Sequence, residues 1–327
     1  MTPKVSILVP IYNVSHYIEK CARSIFNQTF TDIEYVFVND ATPDDSIEIL
    51  QKIIEQYPNR KSQIKIIHHT TNKGLAEARN TAIDASTGKY ISVIDSDDYV
   101  EPEMIEELYF AANNENADIV ISDIIMEYNN RSVIKSDYLS KNSNEHFRDI
   151  LKNEDSQSYL WNKLFRRTLL ENAECRVPLG LNYLEDRHVI IRTFYYAKTI
   201  IKVNKPFYHY IQYNTNAITK TKTQMHFENT IEFWNLLDIF LIQHNEYEKH
   251  KQIIELSKIH SKLQLMIDTL SGELRKEYSK MFFDIELKYL SNFKVSQKLL
   301  LLFLHFRLFR LAQFLRYLLI IKNKRVK

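Results

Sequence analysis

The sequence predicts an α/β fold, a mostly parallel sheet flanked by helices, with a C-terminal helical extension. Short runs rich in Val, Ile, Tyr and Phe at 5–10, 33–39, 64–68 and 90–95 have the composition of strands buried on both faces. Helix-like stretches at roughly 16–28, 44–57 and 75–86 separate them, and this alternation asks for crossover connections and parallel pairing. From about Thr221 onward the pattern is helical throughout.

Each element carries its own punctuation. Strand one ends in Pro10-Ile11-Tyr12-Asn13 and strand two in Asn39-Asp40. Asp44 and Asp45 are placed to cap the second helix. Strand three leads to Asn72-Lys73-Gly74, and Gly88 is placed to end the third helix. Strand four ends in Asp95-Ser96-Asp97-Asp98, and Pro102 suits the first turn of a fourth helix over about 102–114. Residues 129–158 are polar and read as irregular, and strand signals return over 200–213. There is no internal repeat and no low-complexity linker.

At 327 residues the chain has material for one main domain and an appendage. Its 45% hydrophobic and 26% charged residues exclude a disordered or fibrous class. A net charge of +2 from 43 basic and 41 acidic residues argues against coating nucleic acid. Cys21 and Cys175 lack the spacing of a zinc site or redox pair, and the N-terminus enters a strand without a leader, so the reading is cytoplasmic.

Ligands of such sheets bind beyond the carboxyl ends of the strands, where this chain is polar. Asp95 and Asp97, two apart where a strand ends, offer hard oxygen ligands for a divalent cation, Mn2+ or Mg2+, bridging phosphates. Only four glycines occur and none follows Pro10 directly, so neither a dinucleotide fingerprint nor a P-loop is present. Diphosphate charge is then left to metal and cationic side chains.

The segments VSILVPIYNVSHYIEKCARSIFNQTF, VFVNDATPDDS, NKGLAEARNTAIDASTGKYISVIDSDDYVEP and LEDRHV resemble the inverting glycosyltransferases of family 2. The resemblance implies a glycosyltransferase A-type, Rossmann-like catalytic domain over 1–218. Within it, about 1–100 would be the nucleotide-binding half and about 101–218 the acceptor half, and 219–327 would be a helical C-terminal region. It implies that Pro10, Tyr12, Asp40, Asn72, Lys73, Arg79, Asp95 and Ser96 surround the nucleotide sugar, with Asp40 accepting from the base and Tyr12 packing on it. Asp97, with Asp95 beside it, would hold the metal, and His209 would be an additional ligand. Asp186 would be the base that deprotonates the acceptor, with Glu185 orienting it. Trp161 and Lys163 would lie near the acceptor or the diphosphate. Where many relatives carry an arginine in the loop after His209, this chain has Gln212, Tyr213 and Asn214.

The implied activity is transfer of one hexosyl unit from a nucleotide-diphosphate sugar, with a UDP-sugar favoured. The acceptor would be a hydroxyl of a saccharide or lipid-linked saccharide in cell-surface polysaccharide or glycoconjugate synthesis. The Gln-x-x-Arg-Trp signature of processive synthases is absent. Two rival readings are a non-catalytic sugar-nucleotide-binding or assembly protein and a nucleotidyltransferase, for which the Gly-rich, Arg-containing loop is missing.

After Glu286 no Asp or Glu follows, while Lys and Arg recur to Lys327. The segment 299–321 is long enough to span a bilayer but contains Arg307, Arg310 and Arg316, which makes spanning costly. As one helix it puts Leu304, Leu308, Leu311, Leu315 and Leu318 on one face, with Arg307 outside the partition. Contact of 295–327 with an anionic inner membrane face is the expectation, and a second copy of the chain is the alternative partner.

Overall fold

A computed structural model describes residues 2–140, 143–152, 158–215, 222–268 and 272–326. The strands are β1 (Val5–Ile11), β2 (Ile33–Asn39), β3 (Ile64–His68), β4 (Tyr90–Val93), β5 (Tyr99–Val100), β6 (Ile119–Tyr128), β7 (Arg131–Lys135), β8 (Lys163–Arg166) and β9 (Ile200–Ile211). The helices are α1 (Ile18–Phe26), α2 (Ser46–Ile54), α3 (Leu75–Ala85), α4 (Met104–Asn114), α5 (Ser143–Leu151), α6 (Arg167–Glu171) and α7 (Glu185–Tyr196). They continue as α8 (Gln224–Gln243), α9 (Tyr247–Asp268), α10 (Gly272–Tyr278), α11 (Phe283–Glu286), α12 (Val295–His305) and α13 (Phe309–Val326).

One sheet runs β3-β2-β1-β4-β8-β6-β9-β5, with β7 hydrogen-bonded to β6. Its first four strands are parallel, as the alternation predicts. Every residue of β1 is buried, because neighbouring strands and the covering helices leave neither face to water. The second half is mixed: β8 is antiparallel to β4 and β6, whereas β9 is parallel to β6. The chain divides into two compact units, Met1–Ile150 with Glu154–Thr215, and Leu151–Asn153 with Asn216–Lys327. The boundary expected at 218/219 lies outside the described residues.

Three local expectations change. Residues 129–158 are not wholly irregular, since β6 turns at Asn129-Asn130 into β7 and α5 follows. An edge strand with four of its five residues exposed has no apolar run by which to detect it. Gly88 does not end α3, which closes at Ser86. A Cβ there would stand 2.7 Å from the Ser6 backbone nitrogen and 2.8 Å from the Val5 carbonyl carbon, so Gly88 is needed for close approach to β1. The basic C-terminal segment is two helices, α12 and α13, broken at Arg307, whose φ of 57° no continuous helix accepts. That turn is why Arg307 escapes the single-helix partition. Lys327 lies outside the described residues.

Within the second unit a fully buried ion pair ties helices together. Lys262 of α9 donates to Glu286 of α11 and, at 2.9 Å, to the Met281 carbonyl, while the other Glu286 oxygen faces His305 Nδ1 at 3.0 Å. Among the described residues no helix is long and apolar enough to cross a membrane.

Candidate functional site

The loops at the carboxyl ends of β1 and β2 are bonded to each other. Asn13 and Ala41 take left-handed φ of 55° and 52°, turning the chain sharply out of each strand. The Asn13 amide then donates to Thr42 Oγ1 at 2.8 Å and the Ser15 amide to Asp44 Oδ2 at 2.8 Å. Burial alone would raise Asp44, but hydrogen bonds from Ser46, Thr42 and Ser15 outweigh it and bring the carboxyl down to about 2. Asp44 therefore organises the start of α2, whereas Asp45 makes no side-chain cap. Tyr12 stands on this rim 47% exposed, and Pro10 is buried inside β1 opposite Val38.

Asp40 lies at the end of β2, inside the loops. It is 3% exposed, and its oxygens accept from the Lys73 amide at 2.8 Å, the Gly74 amide at 2.8 Å and His69 Nδ1 at 2.7 Å. A carboxylate so engaged shapes the 72–74 loop. Asn72 and Lys73 are exposed on that loop, and Asn72 Oδ1 also accepts from the Gly74 amide. Gly74 has φ 90°, a conformation that a residue with a Cβ rarely adopts, and the Asn182 side-chain amide packs against it.

Arg79 joins the two halves of the sheet's edge. It points inward from α3, 3% exposed, and its Nη2 donates to Asp95 Oδ1 at 2.9 Å. Its Nη1 donates to Glu185 Oε1 at 2.8 Å and to Asp186 Oδ1. The guanidinium faces three carboxylates, and its Nε has no hydrogen-bond partner among the described residues. Burial opposes its charge, but Asp186, Asp95 and Glu185 together raise its pKa further. Glu185 and Asp186 open α7 after Leu184, whose φ of 65° makes a sharp entry into the helix. Burial pushes Asp186 up to about 7; Arg79 and the Leu160 amide pull down, while Glu185 and Asp95 push up. A carboxylate poised there suits proton abstraction near neutrality.

The turn after β4 is pinned to β9. Fully buried Asp98 accepts from Tyr208 Oη at 2.8 Å and from the Ile211 amide at 2.7 Å, and burial with Asp97 and Asp95 nearby raises its pKa well above the usual range. Ser96 is buried, and Asp97 Oδ2 accepts from Asn214 Nδ2 at 2.8 Å. Burial, then the neighbouring Asp95 charge, raises Asp97. Among the described residues no three His, Cys, Asp or Glu converge as a ready metal site. One or two carboxylates fit a hard cation whose shell is completed by phosphates and water. His209 does not join them. Its ring nitrogens face Glu127 and Glu101, each at 2.8 Å, and the ring stacks on Tyr99.

Trp161 and Lys163 are core residues, contrary to the acceptor contacts expected of them. Trp161 is 2% exposed and stacks on Tyr159 and Tyr208 at 4.6 and 4.2 Å. Lys163 is fully buried and donates to the Tyr159 carbonyl and Asn162 Oδ1, both at 2.7 Å. Its pKa is lowered by burial, against the pull of Asp137 and Asp186. Sequence reasoning did not single out His69, Asp98, Asn182, Tyr208 or Asn214. His69 and Asp98 follow strand ends, a position that marks them; Asn182 and Asn214 lie in the weakly patterned half and carry no comparable signal.

Comparison with known proteins identifies the family. The model of glycosyl transferase family 2 matches residues 6–173, more than half of the chain. EpsH of Bacillus subtilis (strain 168) is 30% identical over 288 residues, covering 86% of this chain and 81% of that protein. The uncharacterized glycosyltransferase EpsJ of the same organism is 35% identical over 226 residues, covering 67% of this chain and 64% of its own length. The crystal structure of S. aureus TarS 1-349 in complex with UDP-GlcNAc shares the fold, with a TM-score of 0.71 at 19% identity over 96% of this chain and 90% of that one. A parallel sheet edge carrying paired carboxylates, a buried arginine clamp and an acidic helix start, with these matches, makes the chain a glycosyltransferase belonging to family 2.

Proposed function

We propose that this enzyme moves one sugar, with inversion, from a UDP-sugar to a hydroxyl of a saccharide or lipid-linked saccharide in cell-surface polysaccharide or glycoconjugate synthesis. The observation that carries the reading is the Arg79 cluster, in which one guanidinium contacts both donor-side Asp95 and the candidate base Asp186. The acceptor oxygen attacks the anomeric carbon while Asp186 takes its proton; the bond from that carbon to the diphosphate oxygen breaks, and UDP departs. Glu185 shares the Arg79 Nη1 and so orients its neighbour. Asp97, with Asp95 beside it, would hold Mn2+ or Mg2+, and that cation would neutralise the leaving diphosphate. The complex of TarS 1-349 with UDP-GlcNAc supports UDP-sugars as the donors to try first.

The test is a panel of nucleotide sugars scored for thermal stabilisation with and without manganese, then for nucleotide release and product anomer. Free UDP and an inverted glycoside are expected. Pyrophosphate released from a nucleoside triphosphate supplied with a sugar phosphate, and no UDP from the sugar donors, would indicate nucleotidyl transfer; stabilisation without turnover on any saccharide acceptor would indicate a binding protein, and a retained anomer would exclude the single displacement.

A further inference from the structure

The second unit ends in a surface that the transfer chemistry does not use. α12 and α13 pack on each other across the turn at Arg307. α13 buries Ala312 and leaves Leu311, Phe314 and Leu318 on another side, 48%, 61% and 46% exposed. The spacing 311, 314, 318 aligns them in one stripe, bordered by Tyr317, 61% exposed, and by exposed Arg310. Soluble surfaces show large apolar side chains singly, so a row of them along one helix marks a face that something covers.

Charge identifies the cover. No acid follows Glu286, and Lys322, Lys324 and Arg325 continue the sequence beyond the stripe. A second copy packed through the same helix would bring two Lys- and Arg-bearing segments without acids together, which repel. An anionic lipid surface complements both the apolar stripe and the charge. We propose that α13 lies in the headgroup layer of an anionic bilayer, with Leu311, Phe314 and Leu318 inserted at the acyl boundary and Arg310 on lipid phosphates. Tyr317 suits that interface, having an apolar ring and a polar hydroxyl. The helix lies on the membrane and does not cross it, because Arg310 and Arg316 fall within its length. This docking goes beyond the transfer reading and does not rest on it.

The experiment uses the full chain and vesicles of phosphatidylcholine with or without phosphatidylglycerol. Trp161 and Trp234 are 2% and 0% exposed, so Phe314→Trp adds a surface reporter against a buried background. Its emission is expected to shift to the blue and become shielded from acrylamide only with phosphatidylglycerol present. Binding should weaken, not vanish, on raising salt to about 0.5 M, since screening removes the charge attraction and leaves the insertion. Paired Phe314→Glu and Leu318→Glu should cost about a hundredfold or more in vesicle affinity, each inserted side chain being worth roughly tenfold or more. Their melting midpoint should stay at the parent value, because both sites are exposed. An unshifted emission from the Phe314→Trp variant on anionic vesicles at low salt, or equal binding by the paired variant, overturns the proposal. So does a parent dimer that the paired variant dissociates, which would make the cover a second copy. Stabilisation by nucleotide sugars, read on the same samples, reports separately on the transfer reading.

Discussion

Replacing Arg79 with Met keeps a long flexible side chain but removes the cation that three carboxylates share. Arg79 is 3% exposed, while the side chains of Asp95, Glu185 and Asp186 are 25%, 11% and 18% exposed. Removing one partner of a buried ion pair costs about 3–5 kcal/mol, because the other charge is left uncompensated. Partial exposure lets water recover some of that, so a loss of about 2–4 kcal/mol is expected. At ~2–4 °C per kcal/mol for a unit of this size, the melting midpoint should fall by about 5–15 °C. The deficit should also depend on pH. Burial already holds Asp186 at about 7 against the pull of Arg79, and losing the guanidinium raises it further, so the folded variant takes up more protons than the parent and regains stability as pH falls. Melts followed by circular dichroism from pH 5 to 8 should therefore show the largest deficit at pH 8. Arg79→Lys should recover part of it, since a lysine supplies the charge without the two-sided fork. An unchanged midpoint in the Met variant, or a deficit of the same size at every pH, would refute the argument that Arg79 acts by neutralising this cluster.

Asp97→Asn should abolish manganese-dependent UDP binding in calorimetric titration, because a neutral amide is a poor ligand for a hard cation; undiminished manganese-dependent affinity would remove Asp97 from the metal. Asp186→Asn should lower kcat by about a hundredfold or more with donor affinity retained, and collapse of both together would reassign the base. In the parent enzyme kcat should fall as pH drops below about 7, where Asp186 gains the proton it must be free to accept, and a flat profile from pH 5.5 to 8 would count against that role. Gly88→Ala should destabilise by about 1–3 kcal/mol in urea melts, since the added Cβ meets backbone of β1 that cannot swing aside. Lys262→Met strands Glu286 in the second unit and should cost about 3–5 kcal/mol, measured by the same melts.

The sequence by itself determined the first four strands, the helices between them, the acidic turn after β4 and the acidic start of α7. These are written in local pattern: continuous apolar runs where a strand is covered on both faces, and polar residues where it emerges. The resemblance to family 2 rests on the same contiguous segments, and the family match extends over 6–173. Only the tertiary structure decided which way particular side chains turn. Arg79 and Asp40 look inward to carboxylates and loop amides, Trp161 and Lys163 are taken into the core, and His209 is held between Glu101 and Glu127. The partners in these contacts are in many cases far apart in the chain, such as the 106 positions between Arg79 and Glu185, and no window of local sequence contains them. The break at Arg307 is likewise a matter of packing, because a left-handed residue between α12 and α13 turns a run that reads as one amphipathic helix into two that fold on each other.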